Sequence, residues 1–308
     1  MDLALVVFIA FASAPLAAWL GGRSSAFVAC VPLLLAICFL NLVPLVGAEQ
    51  AVSATRDWIP SLGITAAFRL DGLSLVFALL ITGVGTAVFL YASLYLKTYP
   101  RLPRFYAVLT LFMAAMLGAV LADDLLLLVV FWELTSLTSF LLIGFSPEKA
   151  ASRRSAQQGL LVTVGGGLAM LAGAILLGQI TGSYSISGLI ARKAEIAQHP
   201  LAPTIICLLA AGAFAKSAQA PLHPWLANAM VAPTPVSAFL HSATMVKLGI
   251  YLLARLSPVF EGHQTWVLLL TGFGGLTMLV GAVLALRETD LKRVLAYSTI
   301  ISLGTLVL

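Results

Sequence analysis

Charged residues are scarce in this chain, and their scarcity decides its class. Only 9% of the 308 residues are Asp, Glu, Lys or Arg, whereas 61% are hydrophobic. A soluble domain carries about 25% charged residues, and no polar stretch here exceeds about two dozen residues. The composition excludes a separate soluble domain and predicts an all-α, polytopic transmembrane helix bundle.

Cysteine is also rare, which argues against disulfide, metal and redox chemistry within this chain. Cys30, Cys38 and Cys207 all fall inside apolar segments, and none lies beside a histidine or carboxylate at metal-ligand spacing. The sequence contains no cysteine cluster, flavin site or nucleotide loop. We therefore expect ordinary helix residues at these positions, and neither a cofactor nor a bound metal.

Two further features resemble binding signals but do not predict binding. The net charge of +5 lies mostly in short loops between apolar runs, so it does not indicate a nucleic-acid partner. The run Gly165–Gly167 has no following lysine and no preceding strand, as a phosphate-binding loop would require. Close packing of helices is the expected reason for these glycines.

Long hydrophobic runs dominate the rest of the sequence. A span needs about 20 apolar residues, and nine runs qualify: 3–20, 26–46, 73–95, 105–122, 125–145, 159–180, 202–231, 235–256 and 266–286. A tenth begins at Val294 and reaches Leu308 after only about 22 Å of helix. We expect about ten spans, the first a retained anchor, in a chain that is apparently truncated inside its last span.

Basic residues in the loops predict the orientation of the bundle. Ten lie in odd-numbered loops and five in even-numbered loops. Because cytoplasmic loops carry the excess of Lys and Arg, the amino terminus should face outside. The ten are Arg23, Lys97, Arg101, Arg104, Lys149, Arg153, Arg154, Arg287, Lys292 and Arg293; the five are Arg56, Arg69, Arg192, Lys193 and Arg255.

The seventh run is predicted to be discontinuous beside a buried cation. Lys216 lies near its middle, five residues before Pro221, and Pro224 follows. Proline removes an amide donor and clashes with the preceding turn, so we expect a break between Ser217 and Trp225. A lysine in lipid costs at least ~2.5–3.5 kcal/mol and usually marks an ion path. The alternative is a lysine neutralised by carbonyls at the break.

A single glutamate is predicted near the middle of the membrane. Glu133 lies eight residues into the fifth run, about 12 Å deep, with Ser136 and Ser139 following at intervals of three. In the functional interpretation, Glu133 is a proton-binding group whose pKa is set by a nearby cation. The alternative is a neutral carboxyl held by a hydrogen bond. We expect Glu133 to come within charge-pair reach of Lys216.

The eighth run adds a polar stripe. His241, Thr244 and Lys247 are spaced by three, so on an α-helix they form one slowly turning face. Lys247 and His241 are predicted to relay protons, although His241 could be a packed, hydrogen-bonded ring. His223, in His-Pro-Trp, is equally well explained as an interface turn.

The loops give weaker signals. Asp71 is expected to cap the third helix, with transport as its alternative role, and Asp123 and Asp124 mark a turn. Residues 47–70, with Pro60 and Gly63, predict an exterior turn or hairpin. Residues 186–195 are expected to form a short interfacial helix.

Five segments resemble the antiporter-like membrane subunits shared by respiratory complex I, membrane-bound hydrogenases and Mrp-type multisubunit cation/proton antiporters. They are DGLS at 71–74, FWELTSLTSFLLIGF at 131–145, FAKSAQAPLHPWLANAM at 214–230, APTPVSAFLHSATMVKLGIYLL at 232–253 and TDLKRVLAYST at 289–299. The second and fourth are most similar to the A subunit of the Mrp antiporters. The runs Leu-His-Pro at 222–224 and IISLG at 300–304 depart from the commoner pattern.

The resemblance implies two inverted five-helix repeats in a fourteen-helix core. It implies a three-helix segment over 1–104, a first half-channel repeat over 105–256 and the start of a second repeat over 257–308. It also implies that Glu133 and Lys216 form the charge pair of the first half-channel, which His241 and Lys247 continue.

The function expected on this basis is secondary transport and not enzyme catalysis. The chain would be one subunit of a multisubunit Na⁺/H⁺ antiporter in the cell membrane, exchanging protons for Na⁺ or another monovalent cation. The alternative is a proton-translocating subunit of a redox complex, either complex I or a membrane-bound hydrogenase. Lys247 favours the antiporter, because the complex I counterpart typically lacks a lysine there.

Overall fold

The computed structural model describes residues 2–48, 51–59, 64–99 and 101–308. Within them, eight helices are long and apolar enough to cross a membrane, and Ala202–Lys216 is a shorter apolar helix. The predicted all-α, polytopic membrane bundle is thereby confirmed, with about ten spans as an approximate count. The first six spans are α1 (Leu3–Arg23), a 3₁₀ turn (Ser25–Ala29) with α2 (Cys30–Leu40) and α3 (Val43–Gly47), α4 (Gly72–Tyr95), α5 (Leu102–Leu121), α6 (Leu125–Ile143) and α7 (Ala150–Thr181).

The remaining elements are short helices and four further apolar segments. Two short helices follow the sixth span, the seventh and eighth spans are interrupted, and the last two are single helices. They are α8 (Ile186–Leu189), α9 (Lys193–Gln198), α10 (Ala202–Lys216), α11 (Pro224–Asn228), α12 (Thr234–Val236), α13 (Met245–Phe260), α14 (Gln264–Ala285) and α15 (Leu291–Val307).

Helix α5 lies at the centre of the bundle and is buried along most of its length. It packs against α1 and α6. A Cβ atom at Gly118 would overlap the ring of Phe131 on α6, and one at Gly21 would overlap Tyr106. Lipid tails offer no hydrophobic gain for helix association, so close approach at small residues holds such helices together.

Helices α7 and α10 approach in the same way. A Cβ at Gly166 would overlap that of Ala215, and one at Gly212 would overlap Met170. The prediction that the glycine run serves helix packing is confirmed at Gly166. Gly165 faces open space, with nothing within 4 Å of the position that a Cβ atom would take, and Gly167 faces the side chain of Glu133.

The seventh span is broken, as predicted. Helix α10 ends at Lys216, Ala218 adopts a left-handed backbone with φ of 49°, and helix α11 resumes at Pro224. Such a conformation costs a non-glycine residue about 1–2 kcal/mol. The freed amide of Ala220 is satisfied from another helix, because it donates to Thr277 Oγ1 of α14 at 2.9 Å.

The eighth span differs from the uninterrupted helix that the sequence predicted. Residues Ser237–Ala243 form a π-helix between α12 and α13. At its end Thr244 leaves helical geometry, with φ of −129° and ψ of −72°. The Thr244 amide and hydroxyl both donate to the Phe239 carbonyl, at 3.1 and 2.7 Å. The predicted three-residue stripe was wrong in its geometry, because it assumed 3.6 residues per turn throughout.

The even-numbered loops meet at one end of the bundle. Strands β1 (Val52–Ile59) and β2 (Ile64–Leu70) pair antiparallel from Val52↔Leu70 to Ile59↔Ile64, which confirms a hairpin. Pro60 and Gly63, where the turn was expected, lie outside the described residues. The short helix expected at 186–195 is divided into α8, a 3₁₀ turn and the start of α9.

Aspartates fix the helix starts at this end. Asp71 caps α4 by a reciprocal pair of hydrogen bonds with Ser74, so the predicted cap is confirmed. Asp124 accepts from the amides of Leu126 and Leu127, both at 2.9 Å, and its burial raises its pKa above the ordinary value. Asp123 accepts from the Ser187 hydroxyl at 2.6 Å.

Candidate functional site

Lys216 is fully enclosed where the seventh span breaks. Its side chain has 0% exposure. The ammonium donates to Ser136 Oγ at 2.8 Å and to the Trp132 carbonyl at 3.1 Å, and it lies 5.0 Å from the centre of the Trp132 ring. A lysine ammonium has three donors and no acceptor. Helix α6 therefore supplies two oxygen acceptors and an aromatic face for a cation that lipid would exclude.

Glu133 lies on the same stretch of α6, beside the groups that hold Lys216. Its side chain is partly buried, and the enclosed Oε1 atom has no hydrogen-bond donor among the described residues. No Glu133–Lys216 ion pair within 4.0 Å occurs in this part of the chain. Lys216 therefore contacts Trp132 and Ser136, which lie on either side of Glu133 along α6, and makes no direct ion pair with Glu133 itself.

Ser136 is part of the polar face that the sequence predicted beside Glu133, and in the structure its hydroxyl accepts a hydrogen bond from Lys216. The role of Trp132 was missed, because its contribution is a backbone carbonyl and a ring face. A hydrophobic tryptophan one residue before an intramembrane glutamate gave no signal for either contact.

The chain segment at the break carries further polar atoms inside the bundle. Gln219 has 0% exposure, and its amide nitrogen donates to the Ser217 carbonyl at 3.0 Å, whereas its Oε1 has no partner among the described residues. Ser217 Oγ donates to the Val246 carbonyl at 2.7 Å and so connects the break to α13. His223 is half-buried at the start of α11, and its Nδ1 likewise has no partner in the part of the chain described here.

His241 occupies the π-helix and is nearly enclosed, with 3% exposure. Its ring packs edge-on against Trp225 of α11, with centroids 5.9 Å apart. Neither ring nitrogen has a hydrogen-bond partner among the described residues. The ring is thus packed, as the alternative interpretation expected, but no protein group among the described residues hydrogen-bonds to it.

A cavity of about 410 Å³ reaches His241 from the end of the bundle that carries the odd-numbered loops, here called the odd-loop end. Ser237 and Ser242 line it from the eighth span, and Ser298 and Thr299 line it from α15. Lys292 also lines it and donates to the Ala232 carbonyl at 3.1 Å. His241 is therefore reached by an open cavity that both polar and apolar side chains line.

Lys247 lies at the start of α13 and is half-buried, not enclosed. Its ammonium donates to the Ser242 carbonyl, which the π-helix leaves available. The structure therefore places Lys247 and His241 on either side of the irregular turn at Thr244. π-Helical turns inside helices occur frequently at functional sites.

A second charged cluster, at the even-loop end, was missed from the sequence. The guanidinium of Arg255 on α13 makes a two-pronged ion pair with the Asp71 carboxylate and contacts the hydroxyl of Tyr251. Tyr251 in turn donates to the Val120 carbonyl of α5 at 2.7 Å. Burial alone would raise the pKa of Asp71, but the hydrogen bonds and charge of Arg255 outweigh it and lower that pKa to about 2.

Two family models match this chain. The model described as "NADH:quinone oxidoreductase/Mrp antiporter, TM" matches residues 122–308, and the model described as "NADH-Ubiquinone oxidoreductase (complex I), chain 5 N-terminus" matches residues 58–106. The first covers more than half of the chain and contains Glu133, Lys216, His241 and Lys247.

Curated relatives are similar over most of this chain. The A subunit of the Na⁺/H⁺ antiporter of Alkalihalophilus pseudofirmus is 51% identical over 91% of this chain and 35% of its own length. The A/B subunit of a probable K⁺/H⁺ antiporter of Rhizobium meliloti is 47% identical over 87% of this chain and 27% of its own length. The chain thus spans about a third of the length of the curated relatives it matches.

Two solved structures share the fold. A chain of the Mrp complex from Dietzia sp. superposes with a TM-score of 0.87 at 40% identity, over 99% of this chain and 33% of that one. A chain of the archaeal membrane-bound sulfane sulfur reductase superposes with a TM-score of 0.81 at 22% identity, over 98% of this chain and 62% of that one. The second likeness concerns the fold alone.

Proposed function

Because this multi-pass membrane chain belongs to the NADH:quinone oxidoreductase/Mrp antiporter family, we propose that it acts in a multisubunit antiporter that exchanges protons for a monovalent cation, Na⁺ in the first instance. The observation that carries the proposal is Lys216, enclosed at a helix break and held by the stretch of α6 that contains Glu133. A proton relay needs a buried base that can change charge beside a carboxyl.

The relay runs from Glu133 and Lys216 towards His241 and Lys247. Glu133 and Lys216 stabilise each other's charged forms, so loss of the proton from one changes the proton affinity of the other. His241 stands at the inner end of the cavity that opens at the odd-loop end, and it is suited to exchange protons with water there. Lys247 continues the path beyond the π-helix.

The division of the chain and its placement in the membrane belong to the same proposal. Residues 1–104 are a three-helix segment, 105–256 the first half-channel repeat and 257–308 the start of a second repeat. The excess of basic residues in the odd-numbered loops supports a cytoplasmic position for that end and an amino terminus outside the cell membrane. The partners are the other subunits of the antiporter.

The test is transport by the complex that contains this chain, purified and reconstituted in proteoliposomes with a pH-sensitive dye inside. An imposed Na⁺ gradient should drive proton movement of opposite direction with no electron donor present, and K⁺ tested in parallel identifies the cation. The Lys216→Ala complex, at equal amount, should show less than a tenth of the parental rate.

A second candidate is a proton-translocating subunit of a redox complex, favoured by the complex I family model that matches residues 58–106. In that case the reconstituted complex would acidify or alkalinise vesicles only when an electron donor and acceptor are supplied. Cation gradients alone would then have no effect, which separates the two candidates in one preparation.

A further inference from the structure

The interface between α6 and α7 contains an unusual contact between a carboxyl and a glycine. A Cβ atom built on Gly167 would overlap Glu133 Oε1 and would lie 2.9 Å from the carboxyl carbon and 3.3 Å from Trp132 Cδ1. The carboxyl of Glu133 therefore occupies the space where any other residue at position 167 would place its side chain.

The Glu133 carboxyl fits against Gly167 by steric complementarity, and no hydrogen bond to Oε1 holds it there. Oε1 of Glu133 and the indole nitrogen of Trp132 both lack a hydrogen-bond partner among the described residues. A Cα–H group offers an oxygen only a weak contact, worth about 0.5–1 kcal/mol. The missing side chain of Gly167 is thus what permits the carboxyl to lie between the helices.

The same arrangement sets the relation of Glu133 to Lys216. Lys216 takes its oxygen acceptors from Ser136 and the Trp132 carbonyl, and no ion pair within 4.0 Å joins it to Glu133 within the described ranges. A carboxyl and an ammonium in low dielectric attract strongly when free to meet. The space at Gly167 accommodates the carboxyl in a position where that contact is not made.

We propose that Gly167 is a positioning residue, which holds the Glu133 carboxyl between α6 and α7 and so fixes its separation from Lys216 during proton exchange. This inference rests on the proposed transport function. It gives the last glycine of the run Gly165–Gly167 a role in the relay in addition to helix packing.

The test compares Gly167→Ala with Gly165→Ala in the full complex. Both changes add one methyl group to the same helix two residues apart, but the position at Gly165 has nothing within 4 Å. We expect Gly167→Ala to lower the Na⁺/H⁺ exchange rate at least about tenfold, because misplacing a reacting group by about 1 Å can cost about a hundredfold in rate. Its pH optimum should also shift by about half a unit or more, since the distance between the two charges changes. Gly165→Ala should match the parent in both.

A melting-temperature cycle separates this contact from general packing. Gly167→Ala should lower the melting temperature of the parental complex, and it should lower it much less in a Glu133→Ala background, where the carboxyl is gone but Trp132 remains. If Gly167→Ala fails to assemble, the added Glu133→Ala change should restore assembly. Equal destabilisation in both backgrounds, failure of Glu133→Ala to restore assembly, or parental exchange with a parental pH optimum in Gly167→Ala would overturn the proposal.

The two proposals fail in different ways. A parental complex that exchanges no monovalent cation for protons contradicts the transport function. The melting-temperature cycle still decides whether Gly167 positions the Glu133 carboxyl, because it requires no transport.

Discussion

The buried ammonium of Lys216 is held by a backbone oxygen and a hydroxyl oxygen. Both of these hydrogen-bond acceptors come from α6 and neither is a carboxylate. A hydrogen bond to a charged group contributes about 1.5–3 kcal/mol. Ser136 should therefore matter to the relay although it binds no proton itself.

Replacing Ser136 by alanine is expected to slow exchange about tenfold, because the Lys216 ammonium loses one of its two oxygen acceptors. Ser139→Ala is the matched control, since its hydroxyl donates only to the Ser136 carbonyl, at 2.8 Å, on the same helix. Exchange rates in vesicles normalised to assembled complex on native gels measure the difference. Equal rates for the two variants would show that Lys216 does not depend on Ser136.

Lys247 is expected to conduct and not merely to pack. Lys247→Ala should abolish cation-dependent proton flux with assembly intact, and Lys247→Arg should perform little better, because arginine keeps its proton at physiological pH. Lys193→Ala is the control, since Lys193 is exposed and paired with Glu261 at the even-loop end. Parental flux in an assembled Lys247→Ala complex would mean that the relay bypasses α13.

Helix breaks and helix caps could be predicted where the chemistry of a single residue type determines them. Pro221 and Pro224 lack amide hydrogens, so the break after Lys216 could be predicted from their positions. Asp71, just before an apolar run, similarly predicted the cap of α4. The eight long apolar helices and the shorter apolar helix Ala202–Lys216 followed from hydropathy in the same way.

Other elements could not be predicted because their geometry depends on distant contacts. No proline or glycine within residues 237–243 signals the π-helix, whose extra residue per turn is accommodated by Thr244 bonding back to Phe239. The Asp71–Arg255 ion pair joins residues 184 positions apart. The space that receives the Glu133 carboxyl likewise exists only once α7 packs beside α6.

The break in the seventh span depends on a hydroxyl from α14. Thr277→Val should lower the melting temperature of the complex by a few degrees and reduce exchange, because the amide of Ala220 would be left without an acceptor in a buried site, at a cost of about 1–3 kcal/mol. Thr277→Ser keeps the hydroxyl and should behave like the parent. A Thr277→Val complex as stable as the parent would show that this amide has another acceptor.

The Asp71–Arg255 pair joins α4 to α13 at the even-loop end, and its effect on stability should depend on pH. The pKa of Asp71 is lowered from 3.8 to about 2 in the folded chain. A carboxyl with a lowered folded-state pKa stabilises the fold above its unfolded pKa, and this contribution is lost as the pH falls towards the folded value.

Asp71→Asn should therefore lower the melting temperature by a few degrees between about pH 5 and 8, and the difference from the parent should shrink below about pH 4. Asp57→Asn, an exposed change in the neighbouring hairpin, is the control. A difference that stays constant from pH 7 down to pH 3 would contradict a stabilising role for the ionised carboxylate.

The two ends of the bundle differ in their construction. At the even-loop end, the hairpin, the aspartate caps and the Asp71–Arg255 pair connect neighbouring elements. The odd-loop end carries the cavity that leads to His241, which polar and apolar side chains line together. Between them lie the two interrupted spans, with Lys216 at the break of one and Lys247 beside the π-helix of the other. Irregular backbone is tolerated at membrane depth only within protein or beside water, and here it coincides with the cations.

The proposed transport depends on proton transfer through Lys216 and Glu133 in exchange for a monovalent cation. The most direct measurement is the rate of Na⁺-driven proton movement in proteoliposomes containing the purified complex, compared between the parent, Lys216→Ala and the surface control Lys193→Ala at equal protein. Lys193→Ala should exchange at the parental rate and Lys216→Ala at less than a tenth of that rate, with assembly unchanged. Parental exchange by a fully assembled Lys216→Ala complex would show that protons do not pass through Lys216.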